Sequence, residues 1–441
     1  MNPGSKGLFK NIASLGVVQI ANYVLPLISI PVISRILGPD KLGVINYAVA
    51  FVAYFNVFIG FGFDLTATRR LSKDPGNHTL RVAIFNEVFF SQLFLFFISI
   101  GLFIGCLYFV PPLAAEKKVA IFSFFVCIGT LFAQNWLFQA MHDLPKIAWM
   151  NFFCKLVFTI SLLFFIRKQE DYILQPLLTG LMYIIISLLC FIWAFNRYEL
   201  KFQGVSFHRM FELLWDEKTV FFSLIAISLY TTTNTVMLGL LEKPIQVGYY
   251  TAAQRLMSVV TSVINIPLSQ AFYPFIGLAF SSGIAKGIAT VQKVIPLIFF
   301  FTLCTSLFIF FMGPIVVHWF YGDKFTASIP ALRIISFIPV IVAFSNMFGM
   351  QIMLNLKLDK FYFRISAGGA IIGLVLNYFM IRKMGYIGTA WNWLAVEIYI
   401  SIAMYCVLRY KGINPININE FRFSAILTQL SNLTSKFRKK S

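Results

Sequence analysis

Long apolar segments separated by short polar turns repeat along the chain from about residue 12 to about residue 408. Each segment contains about 20 or more residues, the length that an α-helix needs to cross the hydrocarbon core of a bilayer. The pattern therefore predicts twelve membrane-spanning helices and no large soluble domain. The predicted spans lie near residues 12–37, 42–66, 81–110, 117–140, 144–166, 172–195, 217–241, 245–276, 288–312, 327–355, 361–381 and 386–408.

The two halves of this pattern resemble each other at two places. Residues 42–50, LGVINYAVA, align with residues 247–255, VGYYTAAQR, each just after a predicted outer turn. Residues 138–141, FQAM, align with residues 350–353, MQIM, each at the cytoplasmic end of the fourth helix of its half. The matches indicate an internal duplication, and chance similarity between apolar helices is the alternative explanation.

A duplication of six helices predicts a particular arrangement. Six helices return the chain to the side of the membrane on which it started, so both halves would share one orientation. Repeats of this kind are related by an axis along the membrane normal, and their substrate sites lie at the interface between the repeats. We therefore predict an all-α integral membrane protein with about 12 transmembrane helices in two six-helix lobes, 1–205 and 206–410, with a central cavity. Residues 411–441 would form a basic cytoplasmic tail.

The composition supports a membrane location. Of the 441 residues, 59% are hydrophobic and only 12% are charged, and the mean hydropathy is +0.80. A soluble protein has about 25% charged residues, so this chain has too few for a fully hydrated surface. The net charge of +19 comes from Lys and Arg in short clusters between the apolar segments. Their excess in alternate loops predicts that both termini are cytoplasmic, and their dispersal favours membrane lipids over nucleic acid as partners.

The sequence offers little for catalysis or for metal binding. The six cysteines lie within apolar segments without a CxxC spacing, and the four histidines are isolated, so no metal site is expected. No P-loop motif for ATP is present, and we expect neither a cofactor nor catalytic residues. The predicted outer loops are short for a membrane-embedded polymerase. This combination favours a transporter.

One arginine lies deep within an apolar segment. Arg255 is about ten residues into the predicted eighth helix, which at 1.5 Å per residue places it ~15 Å deep, near the middle of a ~30 Å hydrocarbon core. It belongs to a row of polar residues spaced three or four apart, which places them on one helix face. The row consists of Thr251, Arg255, Ser258, Ser262, Asn265 and Ser269. The row predicts a helix face that contacts water or substrate, and an opposite apolar face that packs on other helices.

A second intramembrane cation, Lys155, lies near mid-depth in the predicted fifth helix. Arg255 and Lys155 belong to different halves and could both face one cavity, where a phosphate or an acidic sugar would bind. Alternatively, each cation pairs with an internal carboxylate, for which Glu87, Asp64 and Glu397 are available. The sequence alone leaves both explanations open.

The same carboxylates are candidates for coupling transport to H⁺ or Na⁺. Glu397 lies near the middle of the predicted last helix, where it could bind a coupling ion, pair with one of the two cations, or anchor helix packing. Glu87 and Asp64 are the other two candidates.

Two further groups of polar residues are candidate contacts. Asn234 belongs to YTTTNT, residues 230–235 of the predicted seventh helix. These polar residues could equally well face the substrate or take part in helix packing. Arg69 and Arg70 belong to the densest basic loop, which is typical of topology and of contact with anionic lipid. Capture of a phosphate group is the alternative role for these two arginines.

Two stretches, PLISIPVISRILGPDKLGVINYAVAF (26–51) and FIGFGFDLTATRRLSKDP (58–75), resemble polysaccharide-export flippases of the Wzx type. Those flippases belong to the superfamily that also contains MATE multidrug exporters and the lipid II flippase. The shared features are an R-x-L-G-P turn, a glycine shortly after it, and a G-x-G followed by paired arginines. They fall on Arg35, Gly38, Pro39, Gly43, Gly60, Gly62, Arg69 and Arg70.

The resemblance implies a function and a location. It implies translocation of undecaprenyl-pyrophosphate-linked oligosaccharide repeat units across the bacterial cytoplasmic membrane, for capsule or O-antigen-type polysaccharide. The expected mechanism is alternating access, and the expected partners are the lipid-linked substrate, membrane lipids and the polysaccharide polymerase and chain-length machinery. A MATE-like antiporter of small molecules or ions is the first alternative, and a membrane-embedded polysaccharide polymerase is the second.

Overall fold

The computed structural model of the protein describes residues 3–141 and 143–422, and every regular element in this part of the chain is helical. The predicted tail, 411–441, is therefore described only as far as Arg422. Only the backbone path is described for residues 3–24, 26–27, 144–148, 226–227, 229–231, 263–271 and 273–275.

The described chain is a succession of α-helices joined by short connections. The helices are α1 (Pro3–Gly60), α2 (Phe63–Leu71), α3 (His78–Phe109), α4 (Pro111–Ala115), α5 (Lys117–Phe132), α6 (Asn135–Ala140), α7 (Leu144–Phe165), α8 (Leu174–Arg197), α9 (Phe207–Leu241), α10 (Pro244–Ser281), α11 (Ile284–Tyr321), α12 (Ser328–Ile335), α13 (Ile338–Asn346), α14 (Asp359–Met384) and α15 (Tyr386–Tyr410). A π-helical segment, Met347–Met353, continues α13, and short 3₁₀ turns lie at Gln169–Ile173, Asp323–Phe325 and Ile418–Phe421.

Within the described residues, eight helical stretches are long and apolar enough to cross a membrane. They are Ile28–Leu71, His78–Phe109, Lys117–Ala140, Gln169–Arg197, Ile284–Tyr321, Ser328–Met353, Asp359–Met384 and Tyr386–Tyr410. The all-helical, multi-pass membrane class predicted from the sequence is therefore confirmed. The number of twelve spans and their grouping into two six-helix lobes stay predictions.

The first two predicted spans share one long helix, α1, which is interrupted at Gly38. Gly38 has φ 72° and ψ 174°, a conformation that residues with a side chain rarely adopt. Pro39 follows, and its fixed φ and missing N–H suit the first position of a helical segment. Arg35 donates a hydrogen bond to the backbone carbonyl oxygen of Trp319, so the turn is anchored outside its own helix. The predicted break at Gly38 and Pro39 is confirmed.

A second break separates α1 from α2 and depends on contact with α9. Phe61 and Gly62 both have positive φ, at 48° and 88°. The Phe61 ring stacks on Phe221, with centroids 4.2 Å apart and 7° between the ring planes. A Cβ atom on Gly62 would lie 2.8 Å from Val220 Cγ1, too close for two carbon atoms. The close approach of α9 therefore requires glycine at position 62.

The fourth helix of each predicted half is irregular at corresponding positions. In the first half, Ala133 and Gln134 separate α5 from α6, which begins at Asn135. In the second half, the π-helical segment begins at Met347, and the offset from Asn135 is the 212 residues that relate FQAM to MQIM. π-Helical turns are uncommon and often mark functional sites. The coincidence supports the proposed duplication.

A single buried amide holds the connector between α8 and α9, residues 198–206, against α3. Asn86 is 1% exposed, and its Nδ2 donates to the carbonyl oxygens of Val82 and Lys201, each at 2.8 Å. Its Oδ1 accepts a hydrogen bond from the backbone N–H of Gln203, also at 2.8 Å. The side chain thus provides partners for backbone groups that no helix satisfies.

The chain forms two compact units. The first contains the described residues up to Tyr249 together with Trp319–Phe325, and the second contains Tyr250–His318 and the described residues from Thr326 onwards. One core of the first unit is rich in aromatic side chains and includes Trp136, which is 1% exposed. The predicted lobe boundary between residues 205 and 206 stays a prediction.

Replacing Asn86 by alanine should release the connector. Asn86→Ala leaves a backbone carbonyl and a backbone N–H of the connector without their partners, which costs about 1–3 kcal/mol. We expect a lower unfolding temperature in detergent and faster tryptic cleavage after Lys201. Gln203→Ala is the matched control, because its backbone N–H still reaches Asn86. Equal behaviour of the two variants would contradict the anchoring role of the amide.

Candidate functional site

Arg255 lies on α10, and its side chain is exposed. In the part of the chain that the structure describes, no hydrogen bond or ion pair engages its guanidinium, and none of Glu87, Asp64 and Glu397 pairs with it. The described geometry is that of an accessible cation rather than of a buried ion pair. A cation in the middle of an apolar helix normally faces a partner or a polar cavity.

The polar row on α10 is largely accessible where its side chains are described. Ser258 is exposed, and its hydroxyl donates to the carbonyl oxygen of Gln254 at 2.9 Å. Ser262 is half-buried, and Thr251, at the beginning of the row, is buried. The side chain of the remaining candidate contact, Asn265, lies outside the described side chains.

The opposite face of α10 is buried. Tyr250, Ala253 and Met257, spaced three and four residues apart, are each 0% exposed. With 3.6 residues per turn, this spacing places them on the side of the helix roughly opposite Arg255. Of the predicted polar row, Arg255 and Ser258 are therefore exposed, whereas Thr251 lies among the buried residues.

Two arginines hold Glu87 of α3. Its Oε2 accepts a hydrogen bond from Arg70 Nη2 at 2.6 Å, and its Oε1 accepts one from Arg209 Nε at 2.8 Å. Arg209 Nη1 also donates to Glu212 Oε2 at 2.8 Å. The network joins α2, α3 and α9. Because both oxygens of Glu87 are engaged, the structure gives this residue a structural role, and its role in ion coupling stays a prediction.

Glu212 is the exposed end of this network. The Arg209 guanidinium hydrogen-bonds to it and holds the pKa of the Glu212 carboxyl below its ordinary value of 4.5. Since the pKa is lower in the folded chain, the pairing contributes stability above about pH 4.5 and loses it as the pH falls through the lower folded pKa. Salt screens an exposed pair of this kind, so its contribution is small at physiological ionic strength.

The other candidates near α2 have distinct environments. Asp64 lies in the first turn of α2, where a negative charge interacts favourably with the helix N-terminus, and its carboxylate accepts a hydrogen bond from the backbone of Trp136. Arg69 is exposed at the other end of α2, whereas Arg70 is half-buried and bound to Glu87. Of the two candidate contacts for phosphate or lipid, Arg69 has the more accessible side chain.

Lys155 and Asn234 lie on separate helices of the first unit. Lys155, on α7, is half-buried. Asn234, on α9, is 9% exposed and follows Thr233, whose hydroxyl oxygen lies 2.6 Å from the hydroxyl oxygen of Tyr54 on α1. The centre of YTTTNT thus takes part in helix packing. Contact between Asn234 or Lys155 and a substrate stays a prediction.

Glu397 is 7% exposed on the face of α15 that packs against α13 and the π-helical segment. On the same face, Ser401 Oγ donates to the carbonyl oxygen of Ile341 at 3.0 Å. One turn further, the Met404 sulfur would lie 3.0 Å from a Cβ on Gly349. Among the described residues, no group of three or more His, Cys, Asp or Glu side chains could hold a metal ion. The three roles predicted for Glu397, namely ion coupling, pairing with a cation and helix packing, stay predictions.

Arg209, Asn86 and Tyr54 were not among the residues that the sequence predicted. Of these three residues, only Arg209 could have been anticipated, because a carboxylate such as Glu87 within an apolar helix requires a partner. Its partner Arg209 is 122 residues away in the sequence, and no local spacing indicates a pairing at that distance.

Glu87→Gln should destabilise the protein more than Glu212→Gln. The change at position 87 removes the charge that Arg70 and Arg209 share, at a cost of about 1–3 kcal/mol. The change at position 212 removes only one exposed pair. Unfolding temperatures in detergent at low and high salt would measure both effects. An equal loss in the two variants would show that Glu87 is not the centre of the network.

The sequence matches known proteins over most of its length. Residues 8–280 match the family described as polysaccharide biosynthesis protein. A relative from Escherichia coli (strain K12), named "Putative O-antigen transporter", is 27% identical over 410 residues, which cover 93% of this chain and 98% of the relative. These matches confirm the resemblance to Wzx-type flippases that residues 26–51 and 58–75 indicate.

The fold is similar to those of two solved transport proteins. A multidrug resistance MATE family transporter of the MOP superfamily, in an inward-facing conformation, aligns with a TM-score of 0.69 and 15% identity over 91% of this chain and 98% of that one. The lipid II flippase MurJ, in an inward closed conformation, aligns with a TM-score of 0.71 and 14% identity over 96% of this chain and 93% of that one. With this fold, and with a family match over more than half of its length, the chain belongs to the polysaccharide biosynthesis protein family.

Proposed function

We propose that the protein is a flippase that moves undecaprenyl-pyrophosphate-linked oligosaccharide repeat units across the bacterial cytoplasmic membrane by alternating access. Twelve spans would form two six-helix lobes, 1–205 and 206–410, with both termini in the cytoplasm and a central cavity. The repeat units would supply synthesis of O-antigen or capsule-type polysaccharide. The family match, the relative named as an O-antigen transporter and the fold shared with a lipid II flippase support this proposal.

The observation that carries the proposal is the exposed guanidinium of Arg255 on a polar helix face. A planar guanidinium binds two phosphate oxygens at once, so this face suits a pyrophosphate. Ser258 and Ser262 extend the same face with hydroxyl groups that can hydrogen-bond to a sugar. Asn265 would continue it, and the polyprenyl chain would remain in the lipid.

Lys155 and Asn234 complete the proposed set of substrate contacts from the first half of the chain. Lys155 would add a second positive charge to the cavity, and Asn234 an amide that can hydrogen-bond to sugar hydroxyls. Arg69, exposed at the end of α2, would receive the phosphate or anionic lipid before entry, with Arg70 beside it.

Transport of an anion outward has an obvious energy source. An inside-negative potential favours the movement by about 2.3 kcal/mol per charge per 100 mV. A coupling ion, H⁺ or Na⁺, would bind a carboxylate within the membrane, and Glu397, which is 7% exposed near the middle of α15, is the first candidate. Glu87 and Asp64 are the other two candidates, and both accept hydrogen bonds in the folded chain. The polysaccharide polymerase and its chain-length machinery would use the exported units.

A MATE-like antiporter of small molecules is the second candidate, favoured by the shared fold. The positive charge of the exposed Arg255 favours the flippase over the antiporter. Arg255 attracts anions and repels the organic cations that a drug exporter of that type would carry. A polymerase is the third candidate, and its loss would leave lipid-linked units on the outer leaflet without joining them.

Removal of the intramembrane cations should stop export. Arg255→Ala and Arg255→Glu, and the same changes at Lys155, should reduce surface polysaccharide by about tenfold or more, the effect of losing one charge-assisted phosphate contact. Lipid-linked repeat units should accumulate at the inner leaflet. Immunoblots of surface polysaccharide and extraction of lipid-linked units would measure both outcomes.

Arg255→Lys and Arg382→Ala are the controls. The lysine keeps the charge and should retain part of the export, whereas Arg382 lies in the last turn of α14, far along the chain from the polar row. Normal export by correctly inserted Arg255→Glu and Lys155→Glu variants would rule out a cationic binding surface. Drug sensitivity without a glycan defect, on deletion of the gene, would favour the antiporter instead.

A further inference from the structure

The first turns of two helical segments in the first unit are in direct backbone contact. Residues 39–43 of α1 and residues 244–248 of α10 form this contact, which we call the glycine crossing. A Cβ on Gly43 would overlap the carbonyl oxygen of Pro244 and lie 2.9 Å from the Gly248 nitrogen. A Cβ on Gly248 would overlap the carbonyl oxygen of Pro39. Only glycine therefore fits at both positions.

The glycine crossing joins equivalent residues of the two proposed repeats. Gly43 corresponds to Gly248, and Pro39 to Pro244, at the offset of 205 residues that aligns LGVINYAVA with VGYYTAAQR. Each segment has the pattern P-x-x-x-G, and the glycine of each half contacts the proline of the other. A contact between equivalent residues of two repeats lies on the axis that relates the repeats.

That axis is also where a transport path would run. In transporters built from parallel repeats the axis follows the membrane normal, and substrate binds at the repeat interface. The predicted topology places both P-x-x-x-G turns at the outer side of the membrane. A backbone contact on the axis at this depth leaves no passage for a sugar chain.

A cavity lies immediately beside the glycine crossing. It has a volume of about 270 Å³, and its lining includes Asp40, Val44, Tyr47 and Val247. Tyr47 is 3% exposed, and its hydroxyl has no hydrogen-bond partner among the described residues. A buried hydroxyl without a partner destabilises the state that contains it, which suits a contact that has to open.

We propose that the glycine crossing is the outer seal of the transport path and separates when the cavity opens outward. The proposal rests on the proposed alternating-access function, because only such a cycle requires the outer side to open. Glycine at positions 43 and 248 allows the two backbones to close without a gap.

The first test measures access to the space beneath the seal. The six native cysteines are replaced, and Val44→Cys, which lines the cavity, is labelled from outside with a membrane-impermeant thiol reagent. Adding Gly248→Ala places a methyl group where Pro39 lies and should raise the labelling rate by about tenfold or more, because overpacking disfavours the closed form.

Gly101→Ala is the control for this test, since a Cβ on Gly101 meets nothing within 4 Å. It should leave the labelling of Val44→Cys unchanged. An unchanged rate in the correctly inserted Gly248→Ala chain would overturn the proposal. The measurement needs no substrate, so it examines the seal even if the protein carries something other than a glycan.

The second test leaves both glycines in place. Asp40 and Val247 flank the contact between Pro39 and Gly248 and line the same cavity. Asp40→Cys with Val247→Cys, bridged by a short reducible bifunctional thiol reagent, should abolish export of newly made surface polysaccharide, and reduction should restore it. Undiminished export by the bridged chain would show that the crossing is a fixed joint, which would overturn the proposal.

The two tests separate failure of the seal from failure of the proposed function. If the unmodified chain exports no polysaccharide while Gly248→Ala still exposes Val44→Cys, the flippase function is wrong and the seal stands. If the chain exports polysaccharide and the bridge has no effect, the function stands and the seal is wrong.

Discussion

The requirement that every backbone N–H and C=O find a partner in hydrocarbon governs this structure. Helices meet the requirement within themselves, and in the described part of the chain every regular element is helical. Each place where the helix is broken therefore needs another device. Along the connector between α8 and α9, Asn86 supplies partners for the backbone of Lys201 and Gln203. Near the Gly38 turn, Arg35 binds the carbonyl oxygen of Trp319, and at Gly62 the chain packs on α9. These contacts connect segments that are far apart in the sequence.

The features that could be predicted from the sequence are local ones. Hydropathy indicated the apolar segments because a span is a property of about 20 consecutive residues. The Gly38–Pro39 break followed from the conformations that these two residues favour, and the amphipathic face around Arg255 followed from helical spacing. The break at Phe61 and Gly62 could not be predicted, because it depends on the position of Phe221 in a helix more than a hundred residues further along the chain.

For the charged residues, too, the sequence indicated local properties but not long-range partners. The sequence identified Glu87 as a carboxylate in need of a partner, but it offered Arg255 and Lys155 as partners because they are also intramembrane. The structure pairs Glu87 with Arg70 and Arg209, which lie near helix ends. The sequence could specify that a charge requires compensation, whereas the choice of partner depended on how three helices pack. Arg255 is left as a cation that the described scaffold does not neutralise.

The reciprocal contact between Pro39–Gly43 and Pro244–Gly248 has a consequence for how such a chain could arise. Two separate copies of a single six-helix protein, paired about a two-fold axis, would make the same contact isologously, with one proline and one glycine in each subunit. In that homodimer any change to the glycine would occur on both sides of the axis at once. Gene fusion would remove this restriction, so that the two faces of the crossing could evolve separately while keeping the geometry that they share.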